Sequence, residues 1–378
     1  MGVVGDFMVR TLRFKVAPYT SGSAHRGALG LAALFSLLFF VAVSGCDLLT
    51  KELPGHRDTS WLGDLPPVAP DKPDNPIEYR YLYSIGLDGT VSLTSATGLY
   101  LHYPDSLTVC DGAARRVLHY STDGTLSRVV QVAPELGQTS GRLSAIYYTG
   151  VDYRICDPDR HRVLWLVGSG ALYKEFSQVP GTSRPIKTPT DITSSYSGWT
   201  LADRGTDTIE FFGNSLSGID PWHIGAGGQE PRDLRDPMGV ATWYLHDLLA
   251  IADLGNRRVV VCSIYRQAVT DYEVVSEYTT GESFAAPVDV AFGMDGTLFV
   301  SDRSLSRVVI LDPDLSYRGT VGDEAGEGRI ESPGQLEVAW NGNVFVCDEA
   351  LNRVAVFAPP DSVSFGVDTS SGRNKPQS

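Results

Sequence analysis

The chain has 378 residues, of which 42% are hydrophobic and 20% are charged. This composition is typical of a globular protein with a sizeable core and excludes a low-complexity chain. Its formal charge is −14 at pH 7, and because the first 45 residues carry +3, the remainder carries −17. Such an acidic surface repels phosphate backbones, so we predict no nucleic-acid partner.

The amino-terminal segment has the layout of a targeting sequence. A basic region precedes an uncharged apolar run at residues 28–43 (ALGLAALFSLLFFVAV). Sixteen helical residues rise about 24 Å, whereas a bilayer-spanning helix needs about 20 residues. The run ends at Val43, Ser44, Gly45 and Cys46. We therefore predict a signal peptide over residues 1–45 rather than a membrane-spanning helix.

The four residues that end at Cys46 resemble the lipobox of bacterial lipoproteins. The resemblance implies that Cys46 is lipidated and becomes the new amino terminus. It also implies a location in the bacterial cell envelope, with the protein anchored to a membrane and facing the periplasm or the exterior. The alternative is an uncleaved signal anchor in which Cys46 is incidental.

Residues 46–77 are predicted to form a tether because prolines recur among few apolar residues. They include Pro54, Pro66, Pro67, Pro70 and Pro73. Such a segment is extended and would hold a folded domain away from a membrane. At the other end, residues 361–378 are polar and predict a disordered tail.

A short motif recurs six times between the tether and the tail, each time as an apolar strand that ends in aspartate. The copies are LTVCD, YRICD, WTLAD, LAIAD, LFVSD and VFVCD, ending at Asp111, Asp157, Asp203, Asp253, Asp302 and Asp348. Their spacing of 46 to 50 residues matches a four-stranded propeller blade. Most helical repeats are shorter than this spacing.

Alternating positions within each copy support the same fold. Residues four and two before each aspartate are apolar, which is the period-2 pattern of a strand with one buried face. The sixth residue after each aspartate is β-branched, as a following strand prefers. Another strand precedes each copy and a weaker one follows it. We therefore predict an all-β protein, a six-bladed β-propeller of four-stranded antiparallel blades over residues 78–360.

The repeat resembles the NHL repeat in its residues P-x-G/D-V-A, then L-x-V-A-D-x-x-N-R-V-x-V-F, then V-G-x-x-G-x-G. The best matches lie at residues 237–262, 287–311 and 322–357. The last copy lacks an outer strand because Pro359 and Pro360 follow it. Residues 78–86 (EYRYLYSIG) resemble the other outer strands and are predicted to close the ring.

In five copies an arginine stands five residues after the aspartate, across a tight turn. The pairs are Asp111 with Arg116, Asp157 with Arg162, Asp253 with Arg258, Asp302 with Arg307 and Asp348 with Arg353. One interpretation is a ring of cations that binds an anionic ligand. The other is a turn clamp, in which each aspartate accepts turn N–H groups and orients its arginine. Because the pair repeats in most blades, we favour the structural role.

Carboxylates at the start of the innermost strands are better site candidates. They are Asp191, Asp289 and Glu337, aligned on the V/I that precedes alanine. The innermost strands line the central channel of a propeller, so these carboxylates could bind Ca²⁺ or another divalent cation there. The alternative is that each carboxylate hydrogen-bonds the backbone where its strand begins.

Other reactive residues form no convergent set in the sequence. The histidines show no metal-ligand spacing, and His119 falls in a strand column with Trp165 and Phe211. Cys110, Cys156 and Cys347 occupy equivalent blade positions, which lie too far apart for disulfides. We predict that these thiols and that of Cys262 are buried and free.

Two functions remain open from the sequence. The first is a lipid-anchored, non-catalytic module that binds a protein, peptide or glycan. The alternative is a metal-dependent hydrolase or lyase with a cation held by the channel carboxylates. An RNA-binding NHL propeller conflicts with the acidic charge and with export.

Overall fold

The computed structural model describes residues 77–360, except residues 88–90, 103–105, 137–140, 196–197, 214–219, 244–245, 266, 280 and 324. The predicted signal peptide, almost all of the tether and the predicted tail lie outside the described residues. Their boundaries therefore stay predictions. Within the described ranges, no helix is long and apolar enough to cross a bilayer.

The described part of the chain is built from short strands. In chain order they are β1 (Arg80–Ile85), β2 (Ala96–His102), β3 (Ser106–Asp111), β4 (Arg116–Ser121), β5 (Leu126–Gln131), β6 (Ile146–Tyr148), β7 (Asp152–Asp157), β8 (Arg162–Val167), β9 (Leu172–Phe176), β10 (Pro189–Ser195), β11 (Gly198–Asp203), β12 (Thr208–Gly213), β13 (Trp222–Gly225), β14 (Pro237–Trp243), β15 (Leu248–Asp253), β16 (Arg258–Tyr265), β17 (Ala268–Val275), β18 (Glu277–Thr279), β19 (Glu282–Ser283), β20 (Pro287–Phe292), β21 (Leu298–Asp302), β22 (Arg307–Leu311), β23 (Tyr317–Val321), β24 (Pro333–Val338), β25 (Val344–Asp348) and β26 (Arg353–Ala358). Single 3₁₀ turns lie at Pro134–Leu136, Pro158–Arg160 and Leu254–Asn256.

Six four-stranded antiparallel sheets form the blades, numbered 1 to 6 along the chain. Blades 1 to 5 are β2–β5, β6–β9, β10–β13, β14–β17 and β20–β23, and blade 6 is β24, β25, β26 and β1. The innermost strands β2, β6, β10, β14, β20 and β24 contact one another in a closed ring. The predicted six-bladed propeller is therefore confirmed.

Blade 6 is completed by the start of the domain. Strand β1 pairs antiparallel with β26, with Arg80 opposite Ala358 and Ile85 opposite Val354. This pairing joins the two ends of the propeller and covers a strand edge that would otherwise be open. The predicted closing strand is confirmed.

The core lies between the faces of adjacent blades. The column that precedes each aspartate holds small residues that are completely buried: Cys110, Cys156, Ala202, Ala252, Ser301 and Cys347. Small side chains suit this column because neighbouring blades approach closely there. The four cysteines of the described residues are free and buried, as predicted. Burial raises the pKa of the Cys110 and Cys262 thiols to about 12, so these thiols are unreactive at neutral pH.

Candidate functional site

The repeated aspartates end the second strand of each blade and are completely buried. Asp253 is representative: it accepts hydrogen bonds from the Arg235 backbone N–H (2.8 Å), Asn256 Nδ2 (2.9 Å) and Arg258 Nε (2.7 Å). Arg235 belongs to the loop that enters the blade. The aspartate therefore ties its turn to that loop as well as to its own arginine.

Most other blades repeat this contact with the entering loop. Asp203, which has no arginine, accepts the N–H groups of Lys187 (2.8 Å) and Thr188 (2.7 Å). Because a buried carboxylate needs several donors, these backbone groups offset its desolvation even without an arginine. The sequence pattern indicated the arginines but gave no signal for the loop donors, which lie about sixteen residues earlier.

The arginines differ more than the repeat implies. Arg116 and Arg162 each bind their own aspartate, at 2.8 and 3.1 Å. In blade 5, however, Arg307 binds Glu282 (3.1 Å) and Tyr278 instead of Asp302.

Blade 6 departs from the pattern as well. The closest contact of Arg353 with Asp348 is 3.5 Å. Its Nη1 donates to Ser84 Oγ (3.0 Å) and to the Glu327 carbonyl (2.8 Å), and its Nη2 donates to the Arg329 carbonyl (2.5 Å). The arginines are thus held by protein groups. We call the side of the propeller on which these aspartates and arginines lie, at the turn between the second and third strands of each blade, the turn face. This arrangement supports a structural role over a ligand-binding ring.

The central channel contains a cavity of about 120 Å³. Its walls come from the innermost strands, and all three candidate carboxylates, Asp191, Asp289 and Glu337, line it. None of the sixteen described residues that line it is lysine, arginine or histidine. The cavity is therefore acidic, and its remaining polar groups include Thr193, Thr242 and Gln335.

The strand register corrects the sequence alignment in blade 6. Ile192 lies opposite Leu201, two residues before its aspartate, and Leu336 lies opposite Val346 in the same way. Gln335 is therefore the equivalent of Asp191, whereas Glu337 lies two residues further along the channel. The alignment was wrong because it matched Val338 and Ala339 to the V-A of other blades. Counted from the proline that opens each strand, Pro333 aligns with Pro189 and Gln335 with Asp191, and a register irregularity follows both prolines.

Asp191 is held by three N–H donors. Its Oδ1 accepts the Ile192 N–H (2.8 Å) and a short hydrogen bond from Gln335 Nε2, and its Oδ2 accepts the Val240 N–H of blade 4 (2.8 Å). Only 6% of Asp191 is exposed. Burial raises its pKa, and the three donors oppose that rise.

Asp289 makes the same kind of contact in blade 5. Its Oδ2 accepts the Leu336 N–H of blade 6 (2.7 Å). Its backbone packs on Gly239, where a Cβ would lie 2.5 Å from the Asp289 Cα, so no larger residue fits there. Burial, followed by the charge of Asp191, raises the pKa of Asp289 well above its usual value.

Glu337 faces the cavity from blade 6, and the backbone of Leu101 in blade 1 hydrogen-bonds its carboxyl group. Burial in the channel, with a smaller contribution from Asp191, raises its pKa to about 8. The three carboxyl groups thus receive different numbers of donors. At neutral pH a proton is most readily held by Glu337 and Asp289, since Asp191 has the most donors.

The carboxylates have the oxygen chemistry that Ca²⁺ prefers, but the fit is partial. In the described part of the chain, no three His, Cys, Asp or Glu side chains meet around one ion position. Asp191 and Asp289 already use oxygens to accept backbone N–H groups. These contacts favour the backbone-bonding alternative for both aspartates.

His119 has a packing role, as its strand column indicated. It is 7% exposed and its ring nitrogens contact Tyr153 Oη (2.7 Å) and Thr108 Oγ1 (3.2 Å). Burial lowers its pKa to about 4, so the ring is neutral at physiological pH.

No protein-family model matches the chain, and no curated protein matches it significantly. Solved propeller structures do match. A streptogramin B lyase is 11% identical, with 75% of this chain and 97% of that chain covered and a TM-score of 0.50. A gluconolactonase from Xanthomonas campestris is 15% identical over 78% of this chain and 99% of that chain, with a TM-score of 0.52. A luciferin-regenerating enzyme is 13% identical over 73% and 94%, with a TM-score of 0.51.

These comparisons correct the expected function. The expectation of a non-catalytic binding module was wrong, because the similar propellers are enzymes by name. The enzyme alternative agrees better with them. At 11 to 15% identity the likeness itself shows the propeller fold, since one fold hosts many reactions.

The turn clamp predicts unequal roles for the two carboxylates that bind Arg258. Asp253 is completely buried, whereas 72% of the Asp233 side chain is exposed. We expect Asp253→Ala to lower the free energy of unfolding by about 3–5 kcal/mol, because buried donors lose their acceptor. Asp233→Ala, the matched control, should cost less than about 1 kcal/mol. Urea denaturation measures both, and equal losses would contradict a structural clamp.

Glu337 predicts a pH dependence of stability. Its pKa is about 8 in the folded protein and about 4.3 in an unfolded chain. Between these values the folded state binds more protons, so the free energy of unfolding should fall as pH rises, by up to about 1.4 kcal/mol per pH unit. Denaturation between pH 4.5 and 8 measures this slope. Glu337→Gln should reduce the slope and leave the part that comes from Asp191 and Asp289. Glu175→Gln, at an exposed outer-strand position, should not change it, and an unchanged slope in Glu337→Gln would refute the assignment.

Proposed function

We propose that this protein is a hydrolase or lyase whose reaction centre is the carboxylate-lined cavity of the channel. The observation that carries the proposal is the convergence of Asp191, Asp289 and Glu337 on one cavity, with raised pKa values. Such shifts are common where carboxyl groups serve as general acids and bases. The enzyme names of the similar propellers support the same conclusion.

The geometry allows one carboxyl group to act as a general base and another as a general acid. Asp191, which has three N–H donors, is the best placed to stay ionised and to accept a proton from water or from a substrate carbon. A protonated Glu337 could then donate a proton to the departing oxygen. This pairing of base and acid serves both ester hydrolysis and elimination.

Binding of a divalent cation such as Ca²⁺ is an alternative use of the same carboxyl groups: if Asp289 and Glu337 were ionised, their oxygens would hold the ion, and Glu337 would then not be the acid. A bound cation would stabilise negative charge that develops on a substrate oxygen. Because the described side chains do not form a complete ligand set, we derive no step of the reaction from the ion.

The cavity also favours uncharged substrates over anionic ones. It contains three carboxyl groups and no cationic side chain among its described residues, so an anionic substrate would be repelled. A neutral lactone is a suitable first probe, given the gluconolactonase among the similar structures. Streptogramin B is a second probe, given the lyase.

We expect hydrolysis of D-glucono-1,4-lactone to exceed that of D-saccharic acid 1,4-lactone, which differs by a carboxylate at C6. Titration of released acid, with and without Ca²⁺, Mg²⁺ or Zn²⁺, measures both, while streptogramin B is followed by mass spectrometry. Asp191→Asn and Glu337→Gln, which remove the proposed base and acid, should each lower kcat/KM by about 10²-fold or more. Glu175→Gln, on the outer strand of blade 2, should leave it unchanged. Turnover that survives both channel substitutions would exclude this reaction centre.

We also propose that the blades are NHL-type repeats and that the propeller is held on a membrane of the bacterial envelope by a lipid on Cys46. The lipobox-like residues before Cys46 support the anchor. The prolines after it would let the propeller stand away from the bilayer. A protein, peptide or glycan partner, and the lack of a nucleic-acid partner, stay predictions.

The anchor can be tested by lipid labelling and by signal-peptide processing. Cys46→Ala should block lipidation, so the protein should keep its signal peptide and lose incorporation of radiolabelled palmitate. Gly45→Ala is a matched control, because alanine is also small and should allow processing. Unchanged labelling and processing of Cys46→Ala would refute lipidation.

A further inference from the structure

One side chain crosses the central channel. Gln335 projects from the innermost strand of blade 6, and its Oε1 accepts the Leu99 N–H of blade 1 (2.9 Å). Its Nε2 donates to Asp191 Oδ1 of blade 3, which lies on the opposite side of the ring. Gln335 is thus fixed at both polar atoms and bridges the channel near the turn face.

The cavity lies on only one side of this bridge. Its lining begins at the level of Asp191, Asp289 and Gln335 and continues to Thr242 and Phe292, away from the turn face. The residues that begin the innermost strands at the turn face are absent from the lining: Pro189, Thr190, Pro237, Pro287, Pro333 and Gly334. The cavity therefore extends toward the opposite face, where each innermost strand turns back into the second strand. We call this the hairpin face.

Ion pairs cover the rim above the bridge. Glu349 of blade 6 binds Arg142, in the loop that enters blade 2 (2.8 Å), and Arg303 of blade 5 (2.7 Å). A Cβ at Gly334 would lie 2.9 Å from Glu349 Oε1, which places this carboxylate over the innermost strand. The network thus passes over the inner rim from blade 2 to blade 5.

This rim network breaks the symmetry of the repeat. The residues equivalent to Glu349 in blades 1 to 5 are Gly112, Pro158, Arg204, Leu254 and Arg303. Glu349 is therefore the one carboxylate in this column, and it belongs to the same blade as Gln335. This ion-pair network is therefore specific to blade 6 and not a consequence of the repeat.

We propose that the Gln335 bridge, covered by the Arg142–Glu349–Arg303 network, closes the channel at the turn face, so that substrates reach the carboxylates only from the hairpin face. The inference rests on the proposed function in taking the cavity as the reaction centre. It adds the route of access and makes Gln335 a positioning residue, because it acts by holding Asp191 and sealing one end.

Thiol labelling tests the route without turnover. The background is the full chain with Cys46→Ala, whose four described cysteines are buried and free. Ala241→Cys places a thiol on the cavity wall. Its reaction with a cationic methanethiosulfonate reagent is timed by intact-mass spectrometry. Without Ala241→Cys, the background chain should react at least 10-fold more slowly.

Two further changes distinguish access of the reagent from the hairpin face and access from the turn face. Thr242→Trp narrows the hairpin-face side and should slow labelling of Ala241→Cys at least 10-fold. Adding Gln335→Ala and Arg142→Ala to this chain should restore the rate through the turn face. As a matched control, Arg232→Ala, which removes an exposed arginine paired with Glu230 in a loop, should not restore it.

Each outcome decides the proposal. Unslowed labelling in Thr242→Trp would overturn access from the hairpin face, and slowed labelling that Gln335→Ala with Arg142→Ala fails to restore would overturn the seal. Thermal unfolding shows whether each variant is folded, and Phe292→Trp replaces Thr242→Trp if that chain is not. An inactive protein with the expected labelling pattern would refute the proposed function and leave the route intact.

Discussion

The inner edge of the propeller imposes the constraint on which the channel depends. Each innermost strand has a sheet partner on one side only, and its other edge faces the channel with N–H groups that need acceptors. Asp191 serves Val240, Asp289 serves Leu336 and Gln335 serves Leu99. In each of these cases the acceptor comes from the preceding blade around the ring. The polar residues of the channel therefore join blades as well as line a cavity.

This dual role explains the electrostatics of the candidate site. Groups that bridge adjacent blades must be buried, and burial raises the pKa of each carboxyl group. The groups differ because Asp191 has three N–H donors, including a side chain from across the channel. A structural requirement of the ring has thus produced neighbouring carboxyl groups with unequal proton affinities, which is what acid–base chemistry requires.

The turn face and the channel differ in how far they follow the repeat. On the turn face, all six aspartates are buried and most are bound to entering-loop N–H groups, and departures such as Arg307 leave the fold intact. In the channel, equivalent positions hold Gly98, Ala145, Asp191, Gly239, Asp289 and Gln335. Glycine at 239 is required because the backbone of Asp289 occupies the space of a side chain. The channel, where the blades differ from one another, is therefore the better candidate for a functional site.

The sequence by itself determined the six-bladed fold, the closing strand and the free buried cysteines, because strand alternation and repeat spacing are local patterns that recur along the chain. It also indicated Asp191, Asp289 and Glu337 as channel residues. The strand register showed that Gln335, not Glu337, is the equivalent of Asp191, and a count from the opening prolines Pro189 and Pro333 gives the same alignment. The tertiary structure alone decided that Gln335 reaches blade 3, 144 residues away in sequence. A contact across a closed ring leaves no periodic trace in the sequence, because it depends on where the blades meet.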